Sequence, residues 1–91
     1  MARVRRRIVV HGQVQGVFFR DGSQREAEQR GLTGWVRNRE DGTVEVAVQG
    51  DSDAVAGFVR WARRGPSAAE VNAVDVDDEA AVDGESGFEV R

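Results

Sequence analysis

Apolar and polar residues alternate most regularly between positions 43 and 49 of the chain. Valine occupies every second position there, and the residues between the valines are mainly polar. This period of two is typical of a strand with one buried face and one solvated face. Residues 33–39 form a second strand-like run, and residues 40–42 between the two runs read Glu-Asp-Gly, a turn signal. The pattern therefore predicts a β-hairpin.

A helical period marks the segment that follows the hairpin. An apolar stripe with the spacing i, i+3, i+4 and i+7 runs through residues 55–62, which is typical of a helix that faces a core. Asp51 or Ser52 can cap its start, and Gly65 with Pro66 ends it.

An earlier helix is predicted from its boundary residues. Ser23 and Glu26 match the S-x-x-E capping box that opens a helix, and Gly31 closes it. Its apolar face is thin, with Ala27 as the main interior residue, so docking onto the rest of the protein must supply much of its stability.

Three further strands complete the pattern. Residues 3–10 are rich in β-branched side chains, but the arginines among them hide the alternation, so the identity of the buried face stays open. Residues 71–76 alternate weakly, and residues 88–90 form a short closing strand. Between these two strands we expect an acidic turn that runs through Gly84. The acidic residues around its start are typical of a solvated turn rather than a metal site, and these are Asp75, Asp77, Asp78 and Glu79.

The order of elements is strand, helix, strand, strand, helix, strand, with a small strand at the end. This order predicts an α+β fold of the ferredoxin-like, split βαβ type, with an antiparallel sheet and two helices on one face. The length of 91 residues fits one domain, so we expect residues 1–91 to form a single unit. This topology serves many functions, and the chemistry must come from the loops.

Composition excludes several kinds of site and partner. The chain has no cysteine, which rules out disulfides, thiolate metal sites and a cysteine nucleophile. The net charge of −3 argues against a dedicated nucleic-acid binder, although most arginines lie before Gly50. The apolar run from Ile8 to Val10 is too short for a signal peptide or a membrane span, so we expect a cytoplasmic protein without a membrane partner.

The segment from Gly12 to Arg20 is the strongest candidate for chemistry. It leads from a strand towards a helix N-terminus, where free N–H groups and the helix dipole favour an anion. Gly16 can take a positive φ and let neighbouring N–H groups converge, and Arg20 can add a guanidinium fork for phosphoryl oxygens. A surface turn with a solvated arginine produces the same pattern, so the loop alone leaves both alternatives open.

Two motifs resemble those of the acylphosphatase family. Residues 10–20, VHGQVQGVFFR, match its signature G-x-V-Q-G-V, any residue, an aromatic residue, then Arg. A second family pattern is matched by Gly34, Trp35, Val36, Arg37, Asn38, Gly42, Val44 and Gly50. Gly65-Pro66 and Gly87-Phe88 resemble later landmarks of the family, so the resemblance covers nearly the whole chain.

The resemblance implies an acylphosphatase, which hydrolyses the carboxyl-phosphate anhydride of a small acyl phosphate by metal-free, in-line attack of water. It implies that Asn38 positions the water and that Arg20 and the loop's N–H groups hold the phosphate; the loop comprises Gln15, Gly16, Val17, Phe18, Phe19 and Arg20. Phosphate or sulfate would then bind as product or mimic. We expect no metal, no cofactor, no nucleic acid and a monomer.

Other polar residues fit this hypothesis less well. His11 is more consistent with a structural or solvent-facing role, and Asp21 and Glu26 with capping or solvated roles, because a carboxylate beside a phosphate repels it. The chain departs from the family pattern at Gly22, Arg30, Gly57 and Glu70. These departures bear on stability and on the entrance to the site.

Three alternative functions remain. Similar domains handle carbamoyl phosphate inside larger hydrogenase-maturation proteins, although a chain of one domain favours the free-standing enzyme. Ferredoxin-like sheets also bind RNA, but they use aromatic residues on central strands, which the first and third strands here lack. An inactive relative acting as an interaction domain is disfavoured by the presence of both Arg20 and Asn38.

Overall fold

The computed structural model describes residues 2–91 and contains five strands and two helices. The elements in chain order are β1 (Arg3–Gln13), α1 (Phe19–Gln29), β2 (Thr33–Asn38), β3 (Val44–Asp51), α2 (Ser52–Arg64), β4 (Glu70–Glu79) and β5 (Phe88–Val90). The predicted order of elements is thus confirmed, including the hairpin and the short closing strand.

The five strands form one sheet in the order β4-β1-β3-β2-β5. The first four strands pair antiparallel, as a ferredoxin-like fold requires, whereas β5 lies parallel to β2 at the sheet edge. The ferredoxin-like part of the sheet is antiparallel, as expected, and the short closing strand makes the sheet mixed by adding one parallel pair. The chain reaches β5 after it has crossed from β4 on one edge to β2 on the other, and this crossover sets the parallel direction.

One hydrophobic core lies between the sheet and both helices. Alternate residues of β1 and β3 point into it, and these are Ile8, Val10, Val44, Val46 and Val48. Phe19 and Ala27 from α1 meet Phe58 and Ala62 from α2 in the same core. The predicted apolar stripe of α2 is thereby confirmed, and the thin face of α1 is supplemented by Phe19 at its start.

The opposite face of the sheet, which we call the open face, carries the odd-numbered residues of β1 and β3. Glu45 is almost fully buried there, with 8% of its side chain exposed, and receives hydrogen bonds from Arg7 at 2.7 Å and Arg37 at 2.6 Å. Arg5, buried nearby, contacts Glu79 at 2.7 Å and Glu85 at 2.8 Å. The arginines of β1 therefore neutralise carboxylates across the sheet.

The acidic segment predicted as a turn is part of strand β4. Asp77, Asp78 and Glu79 lie opposite Arg7, Arg6 and Arg5, respectively, in the antiparallel register. Cross-strand pairs of opposite charge stabilise a sheet, whereas the same acidic residues taken alone have low strand propensity. The expectation of a solvated turn at residues 75–79 was therefore wrong because the partner strand supplies the compensating charges.

The helix boundaries differ in how well the sequence predicted them. Asp51 caps α2 by accepting a hydrogen bond from the Asp53 N–H, and Gly65 ends the helix, as expected. Helix α1 begins at Phe19, four residues before the proposed capping box, and Ser23 is fully buried inside it. No helix in the described part of the chain is long and apolar enough to cross a membrane.

Candidate active site

The loop between β1 and α1 contains two residues with positive φ and leads into a helix N-terminus, an arrangement that favours an anion. Gly16 has φ +74°, as its place in the loop predicted, and Phe18 has φ +68° although it is not glycine. The first intrahelical hydrogen bond runs from the Gly22 N–H to the Phe18 oxygen at 2.9 Å. The N–H groups of the three preceding residues consequently have no intrahelical acceptor and can face an anion.

A cleft of about 200 Å³ opens beside this helix N-terminus. Its lining comprises Val14, Gly16, Phe18, Phe19, Arg20, Asp21 and Asn38. Asn38 is the last residue of β2, so the hairpin brings it next to a loop that lies some twenty residues earlier in the chain. Arg20, Asn38 and most of the predicted loop therefore converge on one cleft, whereas Gln15 and Val17 do not line it.

Arg20 is hydrogen-bonded to Arg91, the residue that follows β5. Its Nη1 donates to the main-chain oxygen of Arg91 at 3.0 Å, and the Arg91 N–H donates to the Val36 oxygen at 2.8 Å. The Arg91 guanidinium also lies 4.7 Å from the centre of the Trp35 ring, a cation–π contact. Within residues 2–91, no Asp or Glu side chain lies in ion-pair range of Arg20.

The side chain of Gln15 turns away from the cleft and binds the β2–β3 hairpin. Its Nε2 donates to the main-chain oxygens of Arg39 at 2.7 Å and Thr43 at 2.9 Å. Asp41 fixes the turn of this hairpin, because it accepts hydrogen bonds from the Thr43 hydroxyl and N–H, and these bonds lower the pKa of Asp41. The loop is thus tied to the turn that follows Asn38.

The remaining polar candidates have other partners. His11 lies on β1 and contacts Asp75 at 2.8 Å, and Glu26 pairs with Arg30 at 3.0 Å one helical turn away. Asp21, expected to have a capping or solvated role, is exposed and lines the cleft from the first turn of α1. Within the described chain, no three His, Asp or Glu side chains come together in the manner of a metal site.

Chemically, the cleft combines donors for an anion with a group that can orient a water. Main-chain N–H groups, the helix dipole and the Arg20 guanidinium all attract negatively charged oxygens. The Asn38 amide can donate to one partner and accept from another, as a bound water requires. Sequence reasoning found these groups but missed Arg91 and the anchoring role of Gln15, since contacts between a side chain and a distant main chain leave no sequence pattern.

Comparisons with known proteins agree on one family. The sequence profile of the family described as Acylphosphatase matches residues 6–90. A Rubrobacter xylanophilus protein named acylphosphatase is 51% identical over 85 residues, which are 93% of this chain and 77% of that protein. The crystal structure of acylphosphatase from Bacillus subtilis has a TM-score of 0.92 and 38% identity, covering 97% of this chain and 98% of that one.

A larger protein contains a similar fold. The crystal structure of full-length HypF in the phosphate- and nucleotide-bound form matches with a TM-score of 0.88 and 26% identity. The match covers 99% of this chain and 12% of HypF. The same fold thus occurs both in proteins of this size and within a much longer chain.

Proposed function

The chain belongs to the acylphosphatase family, whose activity is the hydrolysis of acyl phosphates, and on that basis we propose that the cleft between α1 and β2 is its active site. The observation that carries this proposal is the meeting of an anion-binding helix N-terminus, Arg20 and Asn38 in a single cleft. The reaction breaks the P–O bond to the acyl group and yields a carboxylate and inorganic phosphate.

The first role is binding of the phosphoryl group. In the proposed complex, N–H groups at the start of α1 and the guanidinium of Arg20 donate to its non-bridging oxygens. These donors are fixed before substrate arrives, since Arg20 is held by Arg91 and the loop by Gln15. Donors that need no reorganisation stabilise the charge of the transition state most effectively.

The second role is positioning of the attacking water. Asn38 holds the water through its amide, opposite the bond that breaks, so that attack proceeds in line. A carboxylate is a stable leaving group, so no side chain has to protonate it. This mechanism uses no metal and no cofactor, and neither His11 nor Glu26 takes part in it.

Gln15 acts as a positioning residue in this proposal. Its two hydrogen bonds join the phosphate-binding loop to the hairpin that begins at Asn38, and they set the distance between the phosphoryl group and the water. Val17 contributes to the loop through its backbone, while its side chain lies outside the anion cleft.

The partner class follows from the same arrangement. We propose a small acyl phosphate as substrate and phosphate or sulfate as product or mimic, with no nucleic-acid partner, because Arg5, Arg7 and Arg37 on the open face are paired with carboxylates. We further propose that residues 1–91 form a single domain, supported by the one core that joins both helices to the sheet. A monomeric state and a cytoplasmic location are parts of the same proposal.

The experiment compares benzoyl phosphate hydrolysis by the wild type, Arg20→Ala and Asn38→Ala, with circular dichroism to establish folding. We expect rapid wild-type turnover in the presence of chelator, and losses of at least about 10²-fold in both variants, as for removal of an oxyanion donor. Matched controls are Arg63→Ala and Asn72→Ala, since both residues are exposed and lie outside the cleft. Equal rates in wild type and folded variants would contradict the proposal.

Two further measurements test the proposed phosphate site and the proposed substrate. Inorganic phosphate should raise the melting temperature of the wild type but not of Arg20→Ala, because only a ligand that binds the native state stabilises it. Carbamoyl phosphate assayed beside acetyl and benzoyl phosphate tests the alternative substrate, and a strong preference for carbamoyl phosphate would support that alternative instead.

A further inference from the structure

A second cleft, of about 270 Å³, adjoins the active-site cleft along the start of α1. The two clefts share Phe18 and Asp21 as a common wall. Beyond that wall, the second cleft is bordered by Val17 on the loop and by Pro66 and Ala68 on the turn after α2. A molecule bound in the first cleft can therefore extend into the second by passing over Phe18.

Phe18 is an unusual residue for this position. It is 73% exposed, and it is the only non-glycine residue with positive φ in the described chain. An exposed aromatic ring forgoes burial of its apolar surface, and the left-handed conformation costs about 1–3 kcal/mol. Such strain accumulates at functional sites, which indicates that the ring is displayed for a ligand.

Gly22 keeps the second cleft open. A Cβ atom at this position would lie 3.0 Å from Cζ2 of Trp61 and 4.0 Å from Cβ of Pro66. Any larger side chain would therefore occupy the space between α1 and the turn at Pro66. The glycine costs the helix about 1 kcal/mol relative to alanine. The space that a larger side chain would fill is part of the cleft.

We propose that the second cleft receives the acyl group of the substrate and favours neutral acyl groups with an aromatic ring. This inference rests on the proposed function, because it takes the first cleft as the phosphate site. The volume suffices for a ring, since a protein cavity of about 150 Å³ already takes up benzene. The exposed face of Phe18 offers an offset or edge contact to such a ring.

The charges around the second cleft favour a neutral occupant. Asp21 and Arg25 both line it and lie one helical turn apart, so their opposite charges largely cancel for a group placed between them. Apart from Ser67, whose hydroxyl is neutral, the other side chains that line it are apolar: Val17, Phe18, Pro66 and Ala68. A charged acyl group would lose hydration there without gaining a dedicated partner.

The direction of the reaction agrees with this placement. In-line displacement requires the water and the leaving carboxylate to lie on opposite sides of phosphorus. Asn38 lines only the first cleft, whereas Pro66 and Ala68 line only the second. A substrate that lies across Phe18 consequently directs its acyl group away from Asn38, which leaves the side near Asn38 open for water.

The test fills the second cleft from the turn, without touching the phosphate-binding loop. Ala68 is exposed in this turn, and Ala68→Trp places a large side chain at the cleft border. The matched control is Ala81→Trp, an exposed alanine in the segment between β4 and β5. The readout is kcat/KM for benzoyl phosphate divided by kcat/KM for acetyl phosphate, whose methyl group does not need the cleft.

We expect Ala68→Trp to lower this ratio about tenfold, as for lost burial of an aromatic ring, and Ala81→Trp to leave it unchanged. If Ala68→Trp perturbs turnover of acetyl phosphate as well, Ala68→Leu must shift the ratio in the same direction. An unchanged ratio in an Ala68 variant that still hydrolyses acetyl phosphate would overturn the acyl cleft alone. Failure of the wild type on both substrates would instead overturn the proposed function, and the acyl cleft with it.

Discussion

Gln15 donates a hydrogen bond from its side-chain amide to the main-chain oxygen of Thr43 at 2.9 Å. The same oxygen accepts the Arg39 N–H at 2.9 Å, which closes the β2–β3 hairpin. The bond from Gln15 therefore joins two segments that are distant in sequence at the point where Asn38 leaves β2. The two sides of the proposed active site are connected here independently of the hydrophobic core.

This relationship predicts that Gln15→Leu impairs positioning of water rather than binding of phosphate. Loss of two hydrogen bonds loosens the loop against the hairpin, and a small misplacement of reacting groups can cost about 10²-fold in rate. We expect kcat to fall by about 10-fold to 10²-fold, while inhibition by inorganic phosphate stays the same. Steady-state kinetics with phosphate as inhibitor measure both quantities.

The control for this variant is Gln29→Leu, which removes an exposed glutamine at the end of α1. If Gln15 acts through Asn38, Gln15→Leu should have no further effect on kcat in an Asn38→Ala background. Additive losses in the double variant, or weaker phosphate inhibition with unchanged kcat, would show that Gln15 has another role.

The predictable part of the fold came from residues whose local pattern agrees with their tertiary environment. The valines of β3 alternate because one side of that strand faces the helices, and the stripe of α2 repeats because it packs on the same core. Strand β4 was predicted only over residues 71–76, whereas its acidic continuation at residues 77–79 was assigned to a turn. Its acidic residues are accommodated by arginines on β1 that lie about seventy residues away in the chain, and no local window contains that information.

The residues of the candidate site also fall into those that a local sequence pattern predicts and those that it does not. Arg20 and Asn38 were found because each lies in a short motif, and the structure places both in one cleft. Arg91 was missed because it contributes a main-chain oxygen, which any residue type can supply. Asp21 is exposed, in line with the solvated role that was one of its two expected roles. Its place beside the cleft was missed because the start of α1 was predicted too late, at Ser23, whereas the helix begins at Phe19 and Asp21 lies in its first turn.

The position of Ser23 gives a prediction about stability. A capping serine loses about 1 kcal/mol on replacement by alanine, but Ser23 is buried in α1 and its Oγ has no hydrogen-bond partner among residues 2–91. Removing an unsatisfied buried hydroxyl relieves a desolvation cost. We expect Ser23→Ala to raise the free energy of unfolding by up to about 1 kcal/mol, measured by urea denaturation. A loss of stability would show that the hydroxyl makes a favourable contact in the folded protein.

The ion pairs of Glu45 predict that the free energy of unfolding falls in acid. Burial alone raises the pKa of Glu45, but the hydrogen bonds and charges of Arg37 and Arg7 outweigh it and lower the pKa below its usual value. A carboxylate with a lowered pKa in the folded state stabilises that state above its unfolded pKa of about 4.3. The stabilisation is lost as the pH falls through the folded-state pKa.

We expect Glu45→Gln to lower the free energy of unfolding by about 2 kcal/mol at neutral pH, because Arg7 and Arg37 lose a charged acceptor. The variant should also show a shallower decline in stability than the wild type below about pH 4.3. Glu28→Gln, which alters an exposed glutamate on α1, serves as control. Parallel declines for the wild type and Glu45→Gln would exclude Glu45 as a source of the acid sensitivity.

Arg30, just after α1, places its guanidinium in the space beside Gly57 on α2. A Cβ on Gly57 would overlap with Nη1 of Arg30 and lie 2.9 Å from its Cζ, so the guanidinium occupies the space that the glycine leaves. Arg30 is held there by its ion pair with Glu26 at 3.0 Å. The glycine weakens α2 by about 1 kcal/mol relative to alanine, whereas an exposed ion pair one turn apart contributes only about 0.3–0.5 kcal/mol.

Since the helix gain exceeds the ion-pair loss, we expect Gly57→Ala to stabilise the protein by about 0.5 kcal/mol, with the flexible Arg30 side chain moving aside. In an Arg30→Ala background nothing has to move, and the same substitution should stabilise by about 1 kcal/mol. Urea denaturation of the four proteins in this double-mutant cycle measures the difference. Destabilisation by Gly57→Ala that persists without Arg30 would mean that something other than the guanidinium requires glycine at this position.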